Sequence, residues 1–536
     1  MRSMIMACLL ALFLFPGAAR AEWLEASSDH FVIYAEDNER DLRKFSDQLE
    51  RYHAAMALLF HVKAPPPSPS NRVTVYVVGS EQAVRKIYGA NSKYIGGFYL
   101  PRAGGSLAII PRVDAAKSAT DGSMTTLLHE YAHHFMISAT AMQRPKWFTE
   151  GAAEFFSSSS FSSDGSMVVG RPALHRAGEL FYAPDVKVAD LLDPTAYDKR
   201  THRNYDAFYG KSWLLYHYLT FDPSRQGQFS RYLQLLDQGK GQREAAAEAF
   251  GDFEKLEKDV ERYLMRPKMS ALPIAGDRLI VGPITVRRLT AGEAAIMPVR
   301  IRSKRGVDED SAKSVVAEAR AIAAQYPRDV AVLGELAEAE YDAGNDKETI
   351  AAADAALAVD PSQTNAYIQK GYALFREAQE TDGDKALAYR RARAPFVALN
   401  RLENDHPLPL IYYYRSFVEQ GEQPPKLAID GLIHAVELAP FDFGLRMNLG
   451  WALIRLGRVD DAKIILAPVA FNPHGGGMAQ RATEMIARLD KDPSWKGPES
   501  SAGLDDDGED GEGEDSGGAS KPGASTPKGA TAPAGS

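Results

Sequence analysis

The stretch Leu336–Pro361 reads LAEAEYDAGNDKETIAAADAALAVDP and decides the fold of the C-terminal half of the chain. Its residues occupy the small, turn and proline positions of a helix-turn-helix unit of about 34 residues, namely Leu336–Ala337, Gly344, Ile350, Ala356 and Asp360–Pro361. The same order of small and turn residues recurs at Leu449–Gly450, Gly457 and Ala462. A helix pair that repeats with a period of about 34 residues predicts a stack of such pairs.

These positions resemble the tetratricopeptide repeat. Two further units are in register, one opening at Tyr367–Ala373 with an insert near Glu380–Gly383, and one closing at Ala428–Pro440. These units add up to about four over residues 311–490. That number is sufficient for stability, since at least three stacked units are needed to bury a shared core. The resemblance implies a solenoid that binds a protein partner. A generic helical bundle with alanine-rich faces is the alternative.

The composition describes an ordinary globular protein. The chain has 536 residues, of which 45% are hydrophobic and 25% charged, enough for two or more domains. The net charge of −9 supplies no basic field for phosphates, so nucleic acid is not an expected partner. The single cysteine, Cys8, lies in a segment that we expect to be removed. The mature chain then has no disulfide, no cysteine nucleophile and no thiolate metal site.

Both ends of the chain have segments that we expect to lie outside the folded body. Residues 1–21 carry Arg2, the apolar run Met4–Phe15 and small residues at Ala19 and Ala21, which is the pattern of a secretory signal peptide. A membrane anchor is the weaker alternative, since the run is too short to span. We therefore predict an exported protein, periplasmic or secreted and most simply bacterial, without a membrane span after cleavage. The acidic, Gly-, Ser- and Pro-rich tail over 491–536 is expected to be disordered.

The region between the signal peptide and the repeats predicts an α+β domain over residues 22–265. Strand patterns alternate with one long helix, and the pattern turns mainly helical from Met124 to Leu264. The predicted elements are strands at His30–Tyr34, Arg72–Val78, Tyr94–Tyr99 and Ser106–Ile110 and a helix at Asn38–Phe60. Residues 266–310 are predicted to form a small β-rich linker module, with strands at Leu279–Val281, Ile284–Arg288 and Met297–Ile301.

The strongest chemical signal is the segment Leu128–His133, LHEYAH. On a helix His129 and His133 project from one face and can hold one ion, while Glu130 lies beside them, where it can accept a proton from metal-bound water. A catalytic zinc keeps three protein ligands and one open position. We therefore expect a third ligand, an acid or a histidine, from a second helix.

The segment Pro145–Glu154, PKWFTEGAAE, carries a family resemblance. Together with the His-Glu-x-x-His motif it is similar to the gluzincin metallopeptidases, the group that contains thermolysin and aminopeptidase N. The resemblance implies a zincin-like catalytic domain with one Zn²⁺ per chain. It implies Glu150 as the third zinc ligand, and Glu154 as an acid hydrogen-bonded to a ligating imidazole.

A second stretch supports the same resemblance. Tyr205–Ser212, YDAFYGKS, resembles a Tyr-Glu-Lys-Gly segment of those aminopeptidases, which implies that Tyr209 stabilises an oxyanion. Core packing of Tyr209 is the alternative. The strand that anchors a substrate amine in those enzymes is missing here. We therefore expect an exposed strand at Ser106–Ile110 to pair with an extended peptide.

The sequence thus predicts an exported zinc metallopeptidase that hydrolyses peptide or protein substrates, with repeats for a protein partner. Glu130 and Tyr209 would be catalytic, and His129, His133 and Glu150 would hold the metal. The alternative from a different class is an interaction protein, in which the repeats bind a partner and the peptidase-like domain is structural. Hydrolysis of a non-peptide amide by the same residues is a third reading.

Overall fold

The computed structural model describes residues 22–89, 96–113, 122–139, 144–199, 206–472 and 475–497. The predicted signal peptide, nearly all of the predicted tail, Tyr205 and the first part of the strand predicted at Tyr94–Tyr99 lie outside the described residues. Within these ranges no helix combines the length and apolar character that crossing a bilayer requires. The described chain is mostly helical, with one six-stranded sheet and one small three-stranded sheet.

The larger sheet forms the centre of the N-terminal domain. Its strands lie in the order β4-β5-β3-β2-β1-β9, with β2, β3 and β5 parallel and the outer pairings antiparallel. The strands are β1 (Trp23–Ser27), β2 (Phe31–Glu36), β3 (Val73–Val78), β4 (Phe98–Leu100), β5 (Leu107–Pro111) and β9 (Thr285–Arg288). The parallel strands are apolar on both faces, so helices must cover both sides of the sheet.

Helices fill the rest of the N-terminal domain. They are α1 (Glu39–Leu59), α2 (Glu81–Tyr88), α3 (Gly122–Ala139), α4 (Lys146–Ser157), α5 (Ala177–Tyr182), α6 (Val188–Leu191), α7 (Pro194–Asp198), α8 (Phe208–Phe221), α9 (Gln228–Asp237), α10 (Gln242–Phe250) and α11 (Phe253–Leu264). On one face of the sheet, Phe31, Ile33 and Val75 belong to the main apolar core, which α1, α3, α4 and α8 share. The small second sheet pairs β6 (Ser160–Phe161), β7 (Met167–Val169) and β8 (Leu272–Ile274).

Helix pairs form the C-terminal half, as the repeat pattern predicts. They are α12 (Ala291–Arg305) with α13 (Glu309–Gln325), α14 (Val330–Asp342) with α15 (Asp346–Val359), α16 (Thr364–Glu380) with α17 (Lys385–Leu402), α18 (Pro407–Val418) with α19 (Lys426–Leu438), and α20 (Phe443–Leu456) with α21 (Val459–Ala470), followed by α22 (Gly477–Lys491). We call these pairs the repeat array.

The small residues of the repeat pattern lie where two helices of a pair meet. A Cβ atom on Gly450 would lie 2.5 Å from Leu466, and one on Gly371 would overlap the ring of Phe396. Ala356 is fully buried between its neighbours. Close approach of the helices therefore explains why small side chains recur at a fixed spacing.

The predicted strand at Met297–Ile301 is wrong, because these residues belong to α12. The stretch is apolar on two sides, which imitates a buried strand. Met297 and Ile301 pack on the second face of the sheet, whereas Ile296 and Val299 pack against α13 and α14. Leu279–Val281 forms no strand either, whereas Ile284–Arg288 largely coincides with β9. The predicted linker module thus contributes β8 and β9 to the two sheets and α12 to the repeat array.

The expectation of an exposed strand at Ser106–Ile110 is also wrong. That segment forms β5, which pairs with β3 on one side and β4 on the other, and its residues are buried. An interior strand has no free edge for an extended peptide. The sequence shows that such a stretch is a strand but not which neighbours it acquires.

Candidate metal centre

Two neighbouring helices of the main core bring the predicted ligands together. His129 and His133 lie on successive turns of α3 and are 4% and 8% exposed, and Glu150 in α4 is fully buried. The hydroxyl of Tyr52 donates to the carbonyl of Leu128 at 2.9 Å, which fixes the start of the motif against α1. Helices α3 and α4 pack directly on each other. The two imidazoles and the carboxylate therefore face one another inside the domain.

The glycine that follows Glu150 has a packing role. A Cβ atom on Gly151 would lie 2.5 Å from the carbonyl oxygen of Ser212 and 3.1 Å from the Cβ of Tyr216, both in α8. Only a residue without a side chain lets α4 and α8 approach this closely. The Glu-Gly pair thus serves two functions, since Glu150 faces α3 while Gly151 faces α8.

The spacing of the three donor atoms fits a tetrahedral ion. The Nε2 atoms of His129 and His133 lie 3.1 Å apart, and Oε2 of Glu150 lies 3.4 Å from the first and 3.3 Å from the second. Ligands placed about 2.0–2.1 Å from a tetrahedral zinc ion are separated from each other by about 3.3–3.4 Å. The three atoms therefore fit one face of such a tetrahedron.

Glu154 orients one of the two imidazoles. Its Oε1 lies 3.1 Å from Nδ1 of His129, so Nδ1–H donates to the carboxylate and Nε2 faces the other two donor atoms. Burial alone would lower the pKa of His129, but Glu154 and Glu150 outweigh it and raise that pKa to about 10. Nitrogen Nε2 of His175 lies 2.5 Å from the second oxygen of Glu154. Glu154 thus lies beside the imidazole of His129, whereas the sequence gives no indication of its contact with His175.

Arg176 is the second residue that sequence reasoning missed. Its guanidinium donates to Oε1 of Glu154 at 2.6 and 2.9 Å and to Glu179 at 2.6 Å. Burial alone would raise the pKa of Glu154, yet Arg176 and His129 hold it well below its ordinary value. The carboxylate is therefore ionised in the interior of the domain. Arg176 lies 22 residues beyond Glu154 with no motif around it, so no local pattern indicates the contact.

The two residues predicted to be catalytic lie at the margin of this cluster. Glu130 is half-buried on α3. Tyr209, near the start of α8, packs against the main core, and the Arg176 guanidinium lies 4.8 Å from the centre of its ring. Burial raises the pKa of Tyr209 well above 10, and the nearby Glu150 adds to the effect. These surroundings agree with the core-packing alternative for Tyr209.

A second acidic group is less suited to a metal ion. Carboxylate oxygens lie close to one another on the surface of the N-terminal domain, at Asp185, Glu257 and Glu261. Lys211 lies 2.6 Å from Glu257 and 3.3 Å from Asp185, and Lys187 lies 2.7 Å from Asp185. The ammonium groups of Lys187 and Lys211 therefore already offset most of the negative charge of these three carboxylates. The cluster on α3 and α4 is therefore the better metal site.

Comparisons with known proteins give matches among solved structures alone. No family model matches the chain, and no curated protein matches it. Among solved structures, TTC0263, a thermophilic tetratricopeptide repeat protein of Thermus thermophilus, is 15% identical with a TM-score of 0.29 and covers 33% of this chain and 91% of its own. MamA from Desulfovibrio magneticus is 17% identical with a TM-score of 0.26 and covers 37% of this chain and 97% of its own.

These findings overturn part of the interpretation from sequence. Membership of the gluzincins and zinc-dependent peptidase activity are wrong by these comparisons, because no family model and no curated protein supports a peptidase domain and no enzyme family is indicated. A zincin form of the N-terminal domain is not shown by them. The prediction of a hydrolase is wrong with them, and the comparisons give no support to a peptide substrate. The catalytic roles of Glu130 and Tyr209 depended on that activity. At such TM-scores the neighbours supply no argument about function, which has to come from the helix pairs themselves.

Proposed function

We propose that this is a protein-interaction protein, in which the repeat array binds a partner and the N-terminal domain is a non-catalytic module. A stack of helix pairs offers a continuous surface for another protein. The observation that carries the proposal is the distribution of exposed apolar side chains along this stack. The signal-peptide pattern supports export, so we place the partner outside the cytoplasm as part of the same proposal.

The exposed apolar side chains lie mainly on the second helices of the pairs. Among the described residues they are Val359 on α15, Leu387, Val397 and Leu402 on α17, Leu427 on α19 and Ile464 on α21. Leu427 is 70% exposed and Ile464 is 61% exposed. Of the first helices in the described ranges, α20 alone exposes a large apolar side chain, Leu456 at its end. We take these side chains on the second helices as the candidate contacts of a protein partner.

Parts of the first helices are already covered by the N-terminal domain. Met297 and Ile301 of α12 pack on the sheet of the N-terminal domain, and Ile137 of α3 packs into the apolar cluster of the last repeats. The ring of His134 lies 4.3 Å from that of Phe441 in the loop before α20. An external protein therefore finds the second helices more accessible than the first.

We further propose that His129, His133 and Glu150 hold one divalent metal ion. Two imidazoles and one carboxylate at tetrahedral spacing favour zinc among the divalent ions. When bound, the ion would supply a cross-link between α3 and α4. Glu154 and Arg176 keep the His129 ring in the ligating orientation. The metal thus has a structural role in this proposal, and metal binding adds to the stability of the folded domain.

Site-specific photo-crosslinking tests the interaction surface. A photoreactive amino acid replaces Leu427 or Ile464 in the full chain, expressed in its own cells, and Met265 serves as the control. Met265 is 72% exposed but lies just after α11, outside the repeat array. We expect a discrete adduct from the two repeat positions and none from Met265. The proposal fails if neither repeat position gives an adduct, or if Met265 gives the same one.

A further inference from the structure

The hairpin that joins β4 to β5 reaches out of the N-terminal domain into the repeat array. Its tip, residues 101–105, has the sequence PRAGG. Ala103 is 9% exposed and belongs to the apolar cluster of the last repeats, not to the core of its own domain. The backbone N–H of Ala103 donates to Oδ2 of Asp442, the residue that caps α20, at 2.9 Å. The tip is a turn, closed by a hydrogen bond from Gly105 N–H to the carbonyl of Arg102 at 3.3 Å, and Asp442 binds it from more than 300 residues further along the chain.

Arg102 binds the end of a second helix of the array. Its Nη1 donates to the carbonyl of Lys304 at 2.9 Å, and Nη2 donates to the carbonyl of Arg305 at 3.4 Å. These are the last two residues of α12, whose terminal carbonyls have no partner within the helix. A cation at a helix C-terminus also interacts favourably with the helix dipole. Burial lowers the pKa of Arg102, while Glu338 of α14 favours its charged form.

Gly104 fits only as glycine. Its φ of +73° lies in the left-handed region, which side chains disfavour. A Cβ atom there would lie 3.0 Å from Cε1 of His406 and 3.1 Å from Cγ of Leu408, at the start of α18. The tip therefore touches α12, α18 and α20 through three consecutive residues. We call the surface formed by Lys304, Arg305, His406, Leu408 and Asp442 the latch groove.

A second, polar seam lies beside the latch groove. The hydroxyl of Ser70 donates to Glu403 at 2.7 Å, and the side-chain amide of Asn71 donates to the carbonyl of Asp405 at 3.1 Å. Both partners are in the loop between α17 and α18. The contact between the N-terminal domain and the array therefore has an apolar part at Ala103 and a polar part at Ser70 and Asn71.

We propose that the hairpin tip is a built-in ligand of the repeat array, and that the latch groove binds a turn-forming protein segment in which an arginine precedes small residues. In the closed protein the chain's own tip occupies the groove. A partner segment of the same chemistry binds when the tip leaves. This inference rests on the proposal that the array binds protein, and it adds the chemistry of one recognised segment and a self-blocking contact.

A labelled peptide of residues 99–107, YLPRAGGSL, tests the inference by fluorescence anisotropy with the full chain. Gly104→Val is designed to expel the tip, and Gly105→Ala is the matched control because nothing lies within 4 Å of a Cβ atom there. We expect the peptide to bind Gly104→Val at least about tenfold more tightly than the unmodified chain or the control, the effect of about one charge-assisted hydrogen bond. Arg102→Glu, which removes the cation from the tip, is expected to behave like Gly104→Val.

Equal affinity of the peptide for all four proteins would overturn the inference, provided that circular dichroism shows the variants to be folded. If Gly104→Val does not fold, Arg102→Glu decides alone. Adding Asp442→Ala to the opened variant should remove the gain in affinity, and a retained gain would place the peptide outside the latch groove. Crosslinking from Leu427 reports on a different face of the array. The inference can therefore fail while the proposed function stands, and the reverse also holds.

Discussion

Replacing Glu150 by glutamine tests the metal centre most sharply, because the substitution keeps the shape of the side chain and removes one ligand charge. In the folded protein the three donor atoms already lie 3.1, 3.3 and 3.4 Å apart. Binding an ion therefore requires almost no rearrangement of α3 or α4. We expect zinc to stabilise the unmodified chain and to have little effect on Glu150→Gln.

The size of the effect follows from linkage. An ion that binds only the folded state stabilises it by about 2.7 kcal/mol when its free concentration is about 100 times Kd. For a domain of about 150–250 residues each kcal/mol raises Tm by about 2–4 °C, so the expected rise is about 5–11 °C. The unmodified chain, treated with chelator and then supplied with zinc, should show this shift in differential scanning fluorimetry.

Glu261→Gln is the matched control, since Glu261 belongs to the exposed acidic cluster that lysines neutralise. It should keep the full zinc-dependent shift. The metal proposal is wrong if the unmodified chain shows no shift, or if Glu150→Gln keeps all of it. Loss of the shift in Glu261→Gln would move the site to the surface cluster.

Three further substitutions have defined outcomes. Gly371→Ala forces a Cβ atom into the ring of Phe396 and should cost about 1–3 kcal/mol in urea denaturation, and an unchanged midpoint would contradict the close helix approach. Arg176→Ala leaves the buried carboxylate of Glu154 without its cation and should cost about 3–5 kcal/mol by the same measurement, whereas a loss below about 1 kcal/mol would refute the pairing. Burial raises the pKa of Asp342 to about 7, so its carboxyl group binds a proton more tightly in the folded state than in the unfolded state. The contribution of this group to the free energy of unfolding therefore falls as pH rises from about 4 to 7. In Asp342→Asn the fall in Tm between pH 5 and pH 8 should shrink, and an equal or larger fall would contradict that pKa.

The repeat array could be predicted from sequence because its signal is local. Gly371, Gly450 and Ala356 lie at helix contacts that recur with a fixed period, so the pattern contains the packing. Helix α12 escaped prediction because its apolar residues serve two neighbours, the sheet and the next helices. The spacing of apolar residues indicates a helix when one face is buried. When two sides of a helix are buried, the apolar residues form a continuous run that resembles a strand.

The metal centre was predictable only in part. His129 and His133 are four residues apart on one helix, so their shared face follows from helix geometry. Glu150 came from a family resemblance, and the contact of Arg176 with Glu154 depends on the packing of separate elements. A local motif also specifies a set of ligands without specifying an activity. The ligand geometry can therefore be present in a chain for which no enzyme family is indicated.

In the proposed function the repeat array binds a protein through its second helices. The most direct test is the affinity of the partner identified by crosslinking, measured by isothermal titration calorimetry with the purified full chain and with the double variant Leu427→Glu, Ile464→Glu. Met265→Glu is the control, since it adds a charge at an equally exposed apolar position outside the array. We expect the Kd of the double variant to be at least about tenfold higher than that of the unmodified chain, and the Kd of the control to be unchanged. A loss of about 1.4 kcal/mol in binding free energy corresponds to a tenfold rise in Kd. Equal affinity of all three proteins would contradict the proposed function.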